Sequence, residues 1–242
     1  VMANEKTAGE LEHSKAVREM FSGIAKRYDF LNHFLSVNID KRWRRLVSRE
    51  LKEILADPEA LVLDVACGTG DLAVELRRSG NARVIGTDFC RPMLEVAAEK
   101  NEKNGLSIPY LEADGMNLSF ADETFDAITI AFGLRNFSNW ETGLREFRRL
   151  LKPGGRLAVL EFSAPVVPGF RQAFGFYFSN ILPRIGGAVS GSRGAYEYLP
   201  NSVSRFPDQK NLARMLEEVG FDGVRYRNLT GGIAALHLGT RK

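Results

Sequence analysis

Short apolar runs alternate with stretches of helical periodicity between residues 61 and 163. The runs are rich in valine, isoleucine and leucine, whereas apolar residues between them recur every three or four positions. This alternation predicts an α/β fold in which a mostly parallel sheet carries helices on both faces. The predicted strands cover residues 61–66, 83–88, 108–114, 125–131 and 155–162, and the predicted helices cover 71–79, 92–104 and 140–151.

The segments on either side of this region follow other patterns. An apolar stripe from Trp43 to Leu55 predicts a helix that Asp57-Pro58 ends, because the residue before a proline avoids helical geometry. Near the other end, a helix precedes two strands that Gly231-Gly232 joins as an antiparallel hairpin, which brings the sheet to seven strands. The expected ranges are 207–221 for this helix and 224–230 and 233–239 for the strands.

We expect a single domain with four parts. Residues 1–57 form a helical N-terminal cover, and residues 58–163 form the core of the sheet. Residues 164–206 break the alternation with prolines, glycines and aromatic side chains, and form an insertion beside the core. Residues 207–242 form the C-terminal helix and hairpin.

Composition excludes several classes of function. Lysine and arginine exceed aspartate and glutamate by only 3, an excess too small and dispersed to indicate nucleic-acid binding. Two cysteines form neither a disulfide framework nor a zinc spacing, and no metal-ligating cluster is visible. No secretory signal and no apolar run of about 18 residues are present. We therefore expect a cytoplasmic protein. The basic bunch at 40–45 is either a solvated helix face or a contact for an anionic lipid or substrate.

A glycine turn follows the first predicted strand. The stretch "LDVACGTGDLA", residues 63–73, carries Gly68 and Gly70, and the absence of a Cβ atom lets a ligand approach the backbone closely. Asp88 ends the second strand, where it is placed to accept hydrogen bonds from a ribose diol. Ligands of open parallel sheets bind beyond the carboxyl ends of the strands. The turn therefore predicts a nucleotide-like cofactor, either NAD or S-adenosyl-L-methionine.

Three features favour S-adenosyl-L-methionine over NAD. Asp64 and Asp71 flank the turn, and their charge repels a pyrophosphate but suits a sulfonium and an amino group. Asp114-Gly115 follows the third strand and suits the amino group of an adenine. The chain also ends in an insertion and a hairpin, not in the second mononucleotide-binding half of an NAD fold.

Longer motifs are similar to those of one family. From about Phe21 to its end, the chain resembles the ubiquinone/menaquinone biosynthesis C-methyltransferase family (UbiE/MenG/COQ5). The motifs that carry the resemblance are "YDFLNHFLSVNIDKRW" (28–43), "FGLRN" (132–136), "RLLKPGGRLAVLEFS" (149–163), "PDQ" (207–209) and "NLTGGIAALHLG" (228–239). The chain departs from the family pattern at Leu31, Asp40, Ala131 and Leu150, where methionine, histidine, serine and valine are usual.

The resemblance implies a Rossmann-like class I methyltransferase. Its reaction would move a methyl group from S-adenosyl-L-methionine to the ring carbon of a polyprenylated quinol, either a demethylmenaquinol or a 2-polyprenyl-6-methoxy-benzoquinol, or both. Arg135 and Asn136 would be catalytic, by stabilising a phenolate or orienting a water, and an ordinary salt bridge is the alternative for Arg135. The turn and the family together imply these cofactor-binding residues: Asp64, Gly68, Thr69, Gly70, Asp88, Asp114, Gly115 and Ala131.

Two further segments are expected to close over the site. Tyr28, Asp29 and Asn32 belong to the N-terminal cover, with Tyr28 and Asn32 against the substrate, and helix packing or capping is the alternative. Phe174 and Tyr177 lie in the insertion, which we expect to receive the isoprenoid tail and to offer an apolar patch to a membrane. The alternative is an extra apolar layer on the core. A second copy of the chain, or an assembly for quinone biosynthesis, is a further possible partner.

The histidines are not expected to be catalytic. We expect His13 in a loose N-terminal segment, and we expect His237 to have a structural role in the hairpin. Three other readings of the whole chain stay open. They are a methyltransferase for another small aromatic acceptor, an NAD-dependent oxidoreductase, and a catalytically idle member of a biosynthetic assembly.

Overall fold

The computed structural model describes residues 7–25, 28–29, 36, 38–177 and 193–242. The helices are α1 (Ala8–Ile24), α2 (Ile39–Glu50), α3 (Lys52–Ala56), α4 (Asp71–Arg78), α5 (Arg91–Lys103), α6 (Trp140–Leu150), α7 (Phe170–Phe176), α8 (Arg193–Arg205) and α9 (Gln209–Val219). The strands are β1 (Leu61–Val65), β2 (Arg83–Asp88), β3 (Tyr110–Glu112), β4 (Phe125–Ala131), β5 (Leu151–Phe162), β6 (Phe221–Leu229) and β7 (Ala234–Arg241). Two 3₁₀ turns, Leu134–Asn136 and Thr230–Gly232, complete the described elements.

All seven strands join one sheet in the order β3-β2-β1-β4-β5-β7-β6. The pairs from β3 to β5 are parallel, whereas β7 runs antiparallel to both β5 and β6. The predicted mostly parallel sheet with a C-terminal antiparallel hairpin is confirmed. The strand order reverses between β1 and β4, and such a switch point opens a crevice at the carboxyl ends of the strands.

Helices cover both faces of the sheet, as predicted. On one face, the apolar sides of α2, α3 and α4 pack together with residues of β1 and β7. On the other face, α6 and α9 pack against alternate residues of the central strands. The central strands β1, β4 and β5 bury both of their faces over most of their length, which explains their largely apolar sequences.

Several boundaries differ from the predictions. The expected single helix from Trp43 to Leu55 is two helices, because the chain breaks at Leu51, between α2 and α3. The third strand is shorter than expected. The fifth strand begins earlier than expected, at Leu151, which was predicted to end the preceding helix, and it runs through the predicted turn at 152–155. A register shift between Phe125 and Ala127 accommodates this start, and Gly154 takes the left-handed φ of 80° that the shift requires.

The prediction of a loose N-terminal segment around His13 is wrong. Residues 8–24 form α1, whose first turn carries a capping box in which Thr7 and Glu10 satisfy each other's backbone amides. Within the part of the chain that the structure describes, no helix is long and apolar enough to span a membrane.

Candidate active site

Two residues with left-handed backbone geometry mark the switch point. Ala66, directly after β1, has a φ of 50°, and Phe132, directly after β4, has a φ of 57°. Such values are uncommon for residues with a Cβ and are concentrated at functional sites. A Cβ at the next residue, Gly133, would lie only 2.6 Å from the Cβ of Ala66, so glycine is required there. The two adjacent strands therefore end in tight turns that leave a crevice between them.

A cavity of about 390 Å³ occupies this crevice. Its volume lies within the range of about 300–1,000 Å³ that is typical of small-molecule sites. It brings together most of the predicted site residues: Tyr28, Asp64, Gly68, Thr69, Asp88, Asp114, Gly115, Ala131, Arg135, Asn136, Phe174 and Tyr177. Asn32 lies outside the described residues.

Gly70 is absent from the described lining of the cavity, and the structure gives this glycine a packing role. Its φ is 80°, and a Cβ there would lie 2.5 Å from the hydroxyl oxygen of Tyr110. The glycine therefore lets the turn pack closely against β3. Sequence reasoning identified the need for glycine but assigned it to the ligand rather than to this neighbour.

The described lining of the cavity is rich in negative charge. Its aspartates outnumber its arginines by five to two: Asp40, Asp64, Asp71, Asp88 and Asp114 against Arg44 and Arg135. A diphosphate would meet repulsion in such surroundings, whereas a cationic sulfonium and ammonium would be attracted. The residues present fit S-adenosylmethionine and do not fit NAD.

Asp64 is the most deeply buried of these aspartates. Its residue is 1% exposed, and its Oδ1 accepts a 2.7 Å hydrogen bond from the hydroxyl of Thr129 on β4. Its Oδ2 is buried and has no hydrogen-bond partner among the described residues. Burial raises the pKa of Asp64 to about 7, against the opposing effects of Thr129 and Arg44. This buried Oδ2 is therefore available to accept a hydrogen bond from a ligand or to pair with a cationic group of it.

Asp88 ends β2 beside the glycine turn, as predicted. Its Oδ2 accepts from the amide of Gly68 and its Oδ1 from the amide of Cys90, both at 2.8 Å. Burial raises the pKa of Asp88 to about 6, although these two amides oppose the rise. Each carboxylate oxygen has two acceptor positions, so these bonds fix Asp88 and still leave it able to accept from a ribose hydroxyl.

A chain of ion pairs ties the N-terminal cover to the cofactor turn. Asp29 accepts a hydrogen bond from the hydroxyl of Thr69, and its Oδ2 lies 2.6 Å from the ammonium of Lys100 on α5. Lys100 also lies 2.5 Å from Asp71, which in turn lies 3.1 Å from Arg44 on α2. Each of these two cations also pairs with another aspartate, Lys100 with Asp29 and Arg44 with Asp40, so the charge of Asp71 is only partly neutralised. Asp71 therefore opposes a pyrophosphate less than the sequence suggested. The preference for S-adenosylmethionine over NAD therefore rests on Asp64 and Asp88.

Arg135 forms a buried ion pair with Glu161 at the end of β5. Its Nη1 lies 3.1 Å from Oε1 of Glu161, and the side chains are 5% and 1% exposed. Glu161 also accepts hydrogen bonds from the backbone amides of Arg135 and Phe162. The guanidinium of Arg135 lies over the ring of Phe162, 5.4 Å from its centroid. Burial raises the pKa of Glu161, while Arg135 opposes the rise. Arg135 both lines the cavity and makes the salt bridge that was its alternative role.

Asn136 is held by two elements that lie far away in the sequence. The hydroxyl of Tyr198 on α8 donates a 3.1 Å hydrogen bond to its Oδ1. Nε2 of His13 on α1 lies 3.2 Å from its backbone oxygen. The sequence did not predict these contacts of Tyr198 and His13 with Asn136, nor that of Glu161 with Arg135, because the partners lie far apart in the sequence. By contrast, His237 is buried outside the cavity, 2.8 Å from the backbone oxygen of Gln209, in keeping with a structural role.

Aromatic side chains form the wall beyond β4 and β5. The rings of Phe132 and Phe162 lie 4.7 Å apart, and Trp43 from α2 lies 5.9 Å from Phe132. Phe174 and Tyr177 of the insertion line the same cavity, as predicted. Because the strand order is β3-β2-β1-β4-β5, the cavity has two sides. The side over β3, β2 and β1, which we call the cofactor side, carries Asp64, Asp88 and Asp114 together with the rings of Tyr28 and Phe89. The side over β4 and β5, which we call the acceptor side, carries the paired rings of Phe132 and Phe162.

Solved structures with this fold include two SAM-dependent methyltransferases. A SAM-dependent methyltransferase from Aquifex aeolicus superposes with a TM-score of 0.59 at 22% identity, covering 80% of this chain and 88% of that one. A SAM-dependent methyltransferase from Thermotoga maritima, a possible histamine N-methyltransferase, superposes with a TM-score of 0.60 at 19% identity, covering 92% and 100%. At these identities the likeness shows the fold alone.

Sequence relatives extend over almost the whole chain. It is 47% identical over 232 residues to a demethylmenaquinone methyltransferase of Deinococcus radiodurans, covering 96% of this chain and 95% of that protein. It is 49% identical over 223 residues to a demethylmenaquinone methyltransferase of Thermus thermophilus, covering 92% and 100%. A Geobacter protein, the ubiquinone/menaquinone biosynthesis C-methyltransferase UbiE, is 42% identical over 234 residues, covering 95% and 98%.

A family profile gives the assignment. The profile of the ubiE/COQ5 methyltransferase family matches residues 8–241. This match confirms the predicted enzyme class and, with it, the choice of S-adenosylmethionine over a nicotinamide cofactor. The chain belongs to the ubiE/COQ5 methyltransferase family.

Proposed function

We propose that this chain transfers a methyl group from S-adenosylmethionine to a ring carbon of demethylmenaquinol. The observation that carries the proposal is the two-sided cavity, with aspartates over β3, β2 and β1 and aromatic rings over β4 and β5. Relatives from two organisms are named demethylmenaquinone methyltransferases. The Geobacter relative is named for ubiquinone as well, so a demethylated benzoquinol is the competing acceptor.

The cofactor side holds the donor through fixed polar groups. S-adenosylmethionine, when bound, supplies the methyl group as a sulfonium substituent. Asp64, with its unpartnered Oδ2, and Asp88, with its oxygens fixed by backbone amides, would hold the polar groups of the cofactor. Asp114, which also lines this side, would hold a further polar group of the cofactor. These carboxylates are already oriented by the fold, so binding costs little reorganisation.

The acceptor side suits a flat, apolar ring. Phe132 and Phe162 offer aromatic faces to the cavity, and Trp43 extends the wall. Apolar walls exclude water, and this strengthens every electrostatic interaction made inside the cavity. The ring of a quinol would lie against this aromatic wall with its hydroxyl groups free to reach Arg135 and Asn136.

Arg135 favours the reactive form of the acceptor. A ring carbon of a quinol becomes nucleophilic when a hydroxyl loses its proton and negative charge spreads onto the ring. The guanidinium is a permanent cation that Glu161 holds in place, and it stabilises that charge without giving up a proton. Asn136 also lines the cavity: Tyr198 donates to its Oδ1, and its Nδ2 donates to the backbone oxygen of Phe132 at 3.5 Å, which leaves its second N–H for a quinol oxygen.

Methyl transfer from isotopically labelled S-adenosylmethionine tests the proposal. The acceptors are demethylmenaquinone and a demethylated polyprenyl benzoquinone, each offered reduced and oxidised in detergent. We expect label to enter the reduced naphthoquinol and not its oxidised form, because only the quinol can ionise at a hydroxyl. Equal labelling of the oxidised form would contradict the phenolate step. Cofactor binding without any labelled quinol would leave a methyltransferase for another aromatic acceptor.

A further inference from the structure

Three exposed apolar side chains cluster at the start of the insertion. Among the described residues, five large apolar side chains are more than a third exposed: Leu11, Leu111, Val166, Val167 and Phe170. Val166 is 50% exposed, Val167 is 47% exposed and Phe170 is 37% exposed, and all three lie within five consecutive positions. We call these three residues the apolar tip. Clustered apolar exposure of this kind marks an interaction surface, whereas single exposed residues such as Leu11 are ordinary.

The apolar tip is built onto the sheet and is not a free loop. The amide of Val166 donates a 2.9 Å hydrogen bond to the backbone oxygen of Gly231, in the turn between β6 and β7. A Cβ on Gly231 would lie 2.9 Å from a ring carbon of Phe170, so glycine lets the tip seat closely on this turn. The side chains of the tip stay exposed although their backbone is anchored.

A row of aromatic rings connects the apolar tip to the cavity. Phe170, Phe174 and Tyr177 follow one another at helical spacing, so their side chains lie along one face of α7 and the turn after it. The ring centroids of Phe170 and Phe174 are 6.1 Å apart, and those of Phe174 and Tyr177 are 6.4 Å apart. Phe174 and Tyr177 line the cavity, whereas Phe170 faces solvent. The row is therefore a continuous apolar path from the surface to the acceptor side.

The sequence around the tip is free of acidic residues. The 35 residues from Phe162 to Tyr196 include three arginines, Arg171, Arg184 and Arg193, and no aspartate or glutamate. Arg171 lies directly beside the tip and is exposed. The described part of this surface joins the exposed apolar groups with the exposed Arg171. Such a surface is complementary to an anionic bilayer, because basic residues are attracted to acidic headgroups.

We propose that the apolar tip docks on an anionic lipid bilayer and that the row Phe170, Phe174 and Tyr177 takes the isoprenoid tail of the substrate from the bilayer to the cavity. This inference rests on the proposed function, since that function supplies an acceptor with a long apolar tail. Three side chains are too few for a stable protein interface, which engages about 20–30 residues on each side. Bilayer contact needs no such area, because a few inserted apolar groups assisted by charge suffice for reversible binding.

Vesicle binding by the full chain tests the docking surface without any substrate. The vesicles contain phosphatidylcholine, either alone or with about a quarter of phosphatidylglycerol. The test variant is Val166→Ser with Val167→Ser, and the matched control is Leu11→Ser with Leu111→Ser, which removes two exposed apolar side chains elsewhere. We expect the test variant to bind anionic vesicles about tenfold more weakly, and the control to bind within about twofold of the unaltered chain. Equal binding by the two variants would overturn the docking surface, and it would then favour a protein partner for the tip.

Turnover separates this inference from the proposed function. The test variant should methylate a detergent-solubilised quinol with a short tail at the normal rate, and should lose about tenfold in rate with a long-tailed quinol embedded in anionic vesicles. Normal turnover of the embedded quinol would overturn the inference. If the unaltered chain methylates no quinol in either form, the proposed function fails, whereas the vesicle-binding result still decides the docking surface.

Discussion

Arg135 and Glu161 form an ion pair that is almost wholly removed from water, with Nη1 and Oε1 3.1 Å apart. Glu161 does not line the cavity and also accepts two backbone amides, so it acts on the site through Arg135. It balances the guanidinium charge and fixes its direction. A buried charge that loses its partner is costly, because desolvation is then uncompensated.

Glu161→Gln is therefore expected to reduce the free energy of unfolding by about 3–5 kcal/mol, measured by urea titration. Glu141→Gln is the matched control, because Glu141 pairs with Arg145 at 2.5 Å in an exposed position. That change should cost less than about 1 kcal/mol, since exposed pairs contribute little. Equal costs for the two variants would contradict a structural and electrostatic role for the buried pair.

Tyr198→Phe tests the hold on Asn136. The variant loses the hydroxyl that donates to Oδ1 of Asn136 but keeps the ring that lines the cavity. We expect kcat to fall about three- to tenfold, the equivalent of one neutral hydrogen bond, with little change in KM. Tyr226→Phe on β6 is the control and should leave both constants unchanged. An unaltered kcat in Tyr198→Phe would show that the side chain of Asn136 needs no support from α8.

Asp64 makes the stability of the ligand-free protein depend on pH. Its pKa rises from 3.8 to about 7 on folding, so the folded state binds the proton more tightly than the unfolded state does. Stability from this group is full below pH 4 and is lost as the pH rises toward 7. Between pH 5 and pH 8 the unaltered chain should lose about 3 kcal/mol of unfolding free energy relative to Asp64→Asn, measured by urea titration at each pH. Parallel pH profiles for the two proteins would contradict the raised pKa.

Gly70→Ala separates backbone strain from packing at the cofactor turn. Gly70 and Gly154 share a φ of 80°, but a Cβ on Gly70 would meet the Tyr110 hydroxyl at 2.5 Å, whereas one on Gly154 would meet nothing within 4 Å. Both alanine variants should lose about 1 kcal/mol of stability from the left-handed backbone. Gly70→Ala should lose a further 1–3 kcal/mol, roughly, because the turn must shift from β3. It should also bind S-adenosylmethionine more weakly, as calorimetry would show, whereas Gly154→Ala should not.

The parallel strands and the cofactor side could be predicted from the sequence because their signals are local. A run such as residues 125–131 is apolar on both faces, and β4 has these bounds in the structure. The glycine turn and Asp88 lie at the ends of such runs, so the rule for open parallel sheets places them in one crevice. Local patterns failed where tertiary contacts decide, as at Leu51, where one amphipathic stripe is divided between two helices.

The supports of the acceptor side could not be predicted in the same way. Tyr198 and His13 reach Asn136 from 62 and 123 residues away in the sequence, and no periodicity encodes such a contact. Glu161 lies in one of the motifs that resemble the family. Its contact with Arg135 depends on the register between β4 and β5, which pairs Ala131 with Leu160 and so places the ends of the two strands side by side. The partial neutralisation of Asp71 likewise depends on Arg44 and Lys100, which come from two different helices.

The position of the transferred methyl group tests the central claim most directly. The product made from demethylmenaquinol and carbon-13-labelled S-adenosylmethionine would be examined by nuclear magnetic resonance, which separates methyl groups on ring carbon from those on oxygen. The two-sided cavity and the phenolate role of Arg135 predict that the label lies only on the ring carbon. A label on a quinol oxygen would contradict the account and make this chain an O-methyltransferase.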